Sequence, residues 1–175
     1  TLDRSSAASD VYKRQLFLSS IMMAGLFLLL LAGVGFIQDK KFFTSAPKAV
    51  YEAVEEKPER FRGQHIFGWS LALLAMFCMA GAVIVGAVDG IKNGFTFLQF
   101  YIRFALMMLL LKVFDIFFFD WFLLCRSTFF SHFYPEVKAL LGPQLFGYNK
   151  KDHLIHVIAI LVGSAVLAGL CVWVQ

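Results

Sequence analysis

Four stretches of the chain have the pattern of helices that cross a lipid bilayer. Residues 16–37, 66–88 and 154–174 contain no Asp, Glu, Lys or Arg. Each is close to the ~20 residues that a helix needs to span the hydrocarbon core. A fourth stretch, 97–125, is longer and carries Arg103, Lys112, Asp115 and Asp120. Hydrocarbon offers no partner to a backbone amide or carbonyl, so an open-ended apolar segment satisfies those groups only as a helix. The pattern therefore predicts an all-α membrane protein, a four-transmembrane-helix bundle occupying residues 16–175 as one domain.

The polar stretches between the spans set its orientation. Residues 38–65 carry Lys40, Lys41, Lys48, Lys57, Arg60 and Arg62, and residues 126–153 carry Arg126, Lys138, Lys150 and Lys151. The connection 89–96 carries only Lys92. Lys and Arg collect on the cytoplasmic side of short loops. This places 38–65 and 126–153 in the cytoplasm and the C-terminus outside the cell or inner membrane. Within the first loop, Ser45 is suited to an N-cap and Pro47 to a first turn. Ala46, Val50, Ala53 and Val54 recur at helical spacing before Pro58. The reading is a short helix on the membrane surface, with Tyr51 and Phe61 toward the headgroups. Pro135 and the Gly142-Pro143 pair break the third loop, with one or two helical turns expected between them.

Small residues mark where helices approach. Ala82, Gly86 and Gly90 recur every four positions on the second span, as do Ala165 and Gly169 on the fourth. Such stripes allow close backbone contact where no hydrophobic force drives association. Packing within the chain is the first expectation; a face for a second copy or another membrane protein is the other.

The charged span carries the candidate chemistry. Between residues 104 and 125, fourteen Phe, Leu, Ile or Val side chains favour insertion by roughly 4–8 kcal/mol, while Lys112, Asp115 and Asp120 oppose it by roughly 7–10 kcal/mol if central. Alone this helix is marginal, and it needs partners for its charges. Lys112 and Asp115, three apart, are neighbours on a helical face. On α-helical geometry Asp120 lies on another flank, beside the interfacial Trp121, and Arg103 points away from Lys112. Intramembrane ionisable groups are functional candidates by default; an internal ion pair holding the bundle in register is the alternative.

Histidines add a second pattern. His65, His153 and His156 sit at span ends on the same side as Asp120, and His132, Glu136 and Tyr148 lie in the loop between the third and fourth spans. Imidazoles and carboxylates together can bind metal, relay protons or act as acid and base. His65, Asp120, His153 and His156 are thus metal candidates, with a bis-histidine haem between His65 and His156 as a variant. No spacing matches a known ligand motif, and the expectation is no cofactor.

Composition narrows the classes. Hydrophobic residues make up 59% of the 175, with 21 Phe, above the roughly 45–50% of soluble domains. The net charge of +4 gathers beside the spans and forms no aromatic-interleaved patch, which argues against a nucleic-acid partner. Cys78, Cys125 and Cys171 are isolated in apolar runs, as buried thiols are. Residues 5–15, SSAASDVYKRQ, resemble the in-frame translation of a transposase-type sequencing adaptor. This resemblance implies that residues 1–15 are a non-native, disordered segment of a metagenomic or shotgun-assembled, bacterial source. The natural start would lie upstream of Leu16.

The run FDIFFFDW at 114–121, with Pro135-Glu136, Tyr148 and a His opening the last span, resembles uncharacterised bacterial four-span membrane proteins, a family that implies no activity. The four-helix quinone-linked thiol oxidases share the size and span count, but they require paired extracytoplasmic cysteines that this chain lacks. Three readings remain. The foremost is a non-catalytic accessory, scaffold or sensor protein. The others are a proton- or ion-coupled small transporter using Lys112, Asp115 and Asp120, and a membrane enzyme or metalloprotein with a His/Asp site at the cytoplasmic face.

Overall fold

A computed structural model describes residues 2–43 and 46–175, with side chains described from residue 11 onward. Among the described residues the regular structure is entirely helical. Helix α1 (Leu2–Leu31) continues as a π-helix over Ala32–Ile37. A 3-10 turn (Lys40–Phe43) and the short α2 (Lys48–Ala53) follow. Then come α3 (Gln64–Lys92) and α4 (Phe97–Phe114), the latter continued by a π-helix over Asp115–Leu124. Helix α5 (Phe129–Phe133), 3-10 turns at Pro135–Leu140 and Pro143–Leu145, and α6 (Lys150–Val174) complete the chain.

Three helical segments, Val11–Ile37, Gln64–Lys92 and Lys150–Val174, are long and apolar enough to cross a membrane. Their surfaces agree with their composition. Only 17% of the most apolar stretch of α6 is buried within the protein, and Ile155, Ile158, Val162 and Val166 lie open. A helix that is apolar all round is one buried in a large protein core or in a membrane span. The rod Phe97–Leu124 has the length but is not one of these three, and it carries Arg103, Lys112, Asp115 and Asp120.

The first helix is longer than the pattern predicts. Residues 2–15, where the sequence reading expects disorder, extend α1 toward the N-terminus. The segment has no Gly or Pro, and the adjoining apolar helix provides the nucleus that helix formation otherwise lacks. The second helix is also longer. It runs through Asp89 to Lys92, so Asp89 belongs to α3 and not to the connection. That connection is tight, and Thr96 closes it as the N-cap of α4 in a capping box with Gln99.

The small-residue stripes divide. Ala82, Gly86 and Gly90 are all buried. Ala82 packs with Leu18, Met22 and Met107, and a Cβ on Gly90 would run into the Phe100 ring. At Gly68 a Cβ would come within 2.8 Å of Ile37 Cγ1 and 3.1 Å of the Ile37 amide, so glycine is what lets α3 lie against the π-turn of α1. On α6 the expected Ala165–Gly169 stripe is not the contact face. A Cβ on Gly169 would meet nothing within 4 Å, whereas Ser164, Ala168 and Cys171 are buried, with Ala168 and Cys171 packed near Phe100 and Phe104. The face is one residue out of register with the one read from glycine.

The two long loops pack together at one end of the bundle. Val34, Phe43, Val50, Val54, Tyr134 and Val137 form a buried cluster that joins the first loop to the third. Helix α2 stops at Ala53, short of Pro58. Val50 and Val54 turn into this cluster, Tyr51 sits beneath Lys40 with Nζ 5.0 Å from the ring, and Phe61 is exposed. The Ser45 N-cap lies outside the described residues. In the third loop the expected helical turns occur as the 3-10 turn Pro135–Leu140.

Candidate functional site

Two π-helical stretches shape the polar end of the bundle. At Ala32–Ile37 the widened turn ends on Gln38, which takes a left-handed conformation (φ 55°) and donates its amide to Gly33 O at 2.8 Å. Carbonyls left over at such an end need other donors. The Arg60 guanidinium donates to Gly35 O at 2.5 Å and Gln64 Nε2 to Phe36 O at 2.7 Å.

The second π-helix does more. Five residues apart on an α-helix diverge by about 140°, but a π-helix bonds i to i+5 and brings such residues onto one side. Asp115 and Asp120 are five apart and line the same cavity. Lys112 Nζ lies 2.6 Å from Asp115 Oδ2, the expected i,i+3 pair, and 3.4 Å from His156 Nδ1. Asp120 Oδ2 lies 2.8 Å from His153 Nε2 and accepts from Asn149 Nδ2 at 3.3 Å. Around these groups is a polar cavity of about 330 Å³, with Tyr148 and Asp152 also in its wall. Burial and the nearby Asp120 carboxylate both push the Tyr148 phenol well above its ordinary range.

A second ionic site joins α3 and α4 at the opposite end. Arg103 is 3% exposed, and its Nη1 lies 2.7 Å from Asp89 Oδ2 and 2.9 Å from Gly86 O. The Phe95 ring covers its guanidinium at 4.4 Å, a cation–π contact. Arg14 also contacts Asp89, and Gln15 donates to Arg103 O at 3.1 Å. Asp89 is the residue the sequence reading missed. Asp89 and Arg103 lie seven positions either side of Thr96 in an antiparallel hairpin, so they meet at one level. That symmetry was the available signal.

The histidine constellation comes together only in part. His153 meets Asp120 and His156 approaches Lys112, but His65 lines a separate cavity with Gln38, Asp39 and Lys57. Its ring lies 3.7 Å from Glu59. The Glu59 carboxylate is held below its usual range, chiefly by the His65 backbone amide. His132 is exposed beside Phe133. Glu136 pairs with Lys57 at 3.0 Å and ties the loops together. Although burial opposes it, the Glu136 carboxyl is held below its usual range by its own backbone amide and Lys57. No three His, Cys, Asp or Glu side chains among the described residues are grouped to hold a metal ion. The thiols of Cys78, Cys125 and Cys171 are free.

The arrangement is thus an all-helical protein with three helices fit to cross a membrane and a polar cavity at one end of the bundle. The chain matches no known family model, no curated protein and no solved structure.

Proposed function

We propose that the chain is a four-span integral membrane protein whose rod Phe97–Leu124 is the fourth span, and that it acts as a non-catalytic accessory or sensor protein. In this reading 38–65 and 126–153 form one cytoplasmic cap with α2 at the membrane surface, and the C-terminus is outside. The observation that carries it is charge closure within the chain. Each Asp, Lys and Arg side chain of that rod has a partner here: Arg103 with Asp89, Lys112 with Asp115, Asp120 with His153. Paired charges reduce the insertion penalty and fix neighbouring helices in register, as expected of a bundle built for shape. Joint packing of the two loops supports their placement on one side of the membrane.

A transporter is the second reading, favoured by one observation: Asp115 and Asp120 both face a solvent-sized cavity. Reconstituted vesicles decide between them. An accessory protein gives no proton flux above empty vesicles, and Asp115→Asn lowers folded yield by leaving Lys112 without its carboxylate. Flux in the unsubstituted protein, lost in Asp115→Asn at unchanged folded yield, would replace the accessory reading with the transporter.

A further inference from the structure

The polar cavity does not end at the Lys112–Asp115 pair. An apolar groove of about 520 Å³ runs along α6 against α4, with Leu26 of α1, Met108, Leu111, Ile160 and Leu167 in its walls. Lys112, Asp115 and His156 line both spaces, so groove and cavity meet there. From His156 to Leu167 the helix rises about 16 Å, a length suited to one extended chain. Both volumes fall within or near the roughly 300–1,000 Å³ of ligand pockets, which pair apolar walls with a few polar groups.

Two observations point to an occupant. Ser164, in the groove wall, is 2% exposed, and its hydroxyl has no hydrogen-bond partner. A buried hydroxyl left unpaired is costly, and it sits in the groove wall about 12 Å along α6 from His156. The other observation is charge. Of the three carboxylates facing the polar cavity, Asp115 has Lys112 and Asp120 has His153, while Asp152 has no ion-pair partner among the described residues; the buried Asn149 Oδ1, an acceptor, also lacks a partner. The exposed Lys150 and Lys151 are outside the cavity wall. Asp152 and Asn149 Oδ1 are thus acceptors left over where a headgroup would lie.

We propose that groove and cavity together bind a single-chain amphiphile with a protonated amine head. The chain lies along α6 and the ammonium donates to Asp152, beside the Asp120–His153 pair. This deepens the sensor reading and rests on the helices spanning a membrane. Labelling of Asn93→Cys and Lys138→Cys reads that topology independently, so loss of the site alone is distinguishable from loss of the whole reading.

The test uses the full chain in nanodiscs and native mass spectrometry with dodecylammonium, dodecanol and dodecyl sulfate, which share one tail and differ in the head. One dodecylammonium should bind per chain with an apparent Kd about tenfold or more below that of dodecanol, the gain of one charge-assisted hydrogen bond. A Cβ on Gly163 would meet nothing within 4 Å, so Gly163→Phe places a ring in the groove without forcing the backbone, and it should abolish binding. Equal occupancy by all three heads, a preference for dodecyl sulfate, or dodecylammonium still bound by Gly163→Phe would overturn the proposal. The head-group comparison needs no variant and stands whether or not Gly163→Phe folds.

Discussion

Replacing Asp89 with Leu tests the structure where sequence reasoning was blind. The substitution removes the 2.7 Å bond to Arg103 and leaves that guanidinium buried with only Gly86 O at 2.9 Å and the Phe95 ring at 4.4 Å. Removing one partner of a buried ion pair costs about 3–5 kcal/mol. Asp89 is three residues from the end of α3 at Lys92, about 4.5 Å along the axis. Charges near the interface are less costly than central ones, so the expected loss is at the lower end, about 3 kcal/mol. Arg103→Leu should cost less, about 1–3 kcal/mol, because Asp89 keeps Arg14 and the Asn93 amide at 3.2 Å. The double variant Asp89→Leu/Arg103→Leu should return to within about 1 kcal/mol of the parent, since apolar replacement of a buried pair is often neutral. Equilibrium unfolding in mixed micelles, followed by helical circular dichroism, measures all four proteins. A double variant as unstable as Asp89→Leu would refute the coupling.

Two further outcomes follow from packing and titration. Gly90→Val should destabilise by about 1–3 kcal/mol or more, through overpacking against the fully buried Phe100. Gly169→Ala, whose added methyl meets nothing within 4 Å, should leave thermal stability unchanged or slightly raised. Comparable losses from the two would show that the register of α6 is misassigned. The lowered Glu136 carboxyl makes the Lys57–Glu136 tie pH-dependent. A folded-state pKa below the unfolded one contributes stability above the unfolded value near 4.5, and that contribution is lost as pH falls through the folded value. Hydrogen exchange at 126–153, corrected for intrinsic rate, should therefore speed up as pH falls below the usual carboxylate range, and Glu136→Gln should abolish the change. An unaltered pH response in Glu136→Gln would remove Glu136 as its source.

Much of the fold is legible because membrane solvation is a coarse constraint: length without charge located the α1, α3 and α6 segments before any coordinates. The Lys112–Asp115 pair is legible for the same kind of reason, since i,i+3 spacing is local. What is not legible depends on departures from α-helical periodicity and on contacts between helices. The π-helix at Asp115–Leu124 brings Asp120 to the side of Asp115, where 3.6 residues per turn puts them apart. Asp89 reads as loop because it follows the last apolar residue, although its carboxylate has a guanidinium waiting at the matching level of α4. The α6 contact face uses Ala168 and Cys171 in preference to glycine, packed against the Phe100 and Phe104 rings of α4.

The most direct test of the central claim is whether Phe97–Leu124 crosses the bilayer despite its charges. With Cys78, Cys125 and Cys171 replaced by Ser or Ala, single cysteines at Lys48, Asn93 and Lys138, all exposed, are labelled in cells with an impermeant maleimide before and after permeabilisation. The account predicts that Asn93→Cys reacts from outside, and that Lys48→Cys and Lys138→Cys react only after permeabilisation. Labelling of Asn93→Cys and Lys138→Cys from the same side would show that the charged rod does not span the membrane, and the four-span protein would be contradicted.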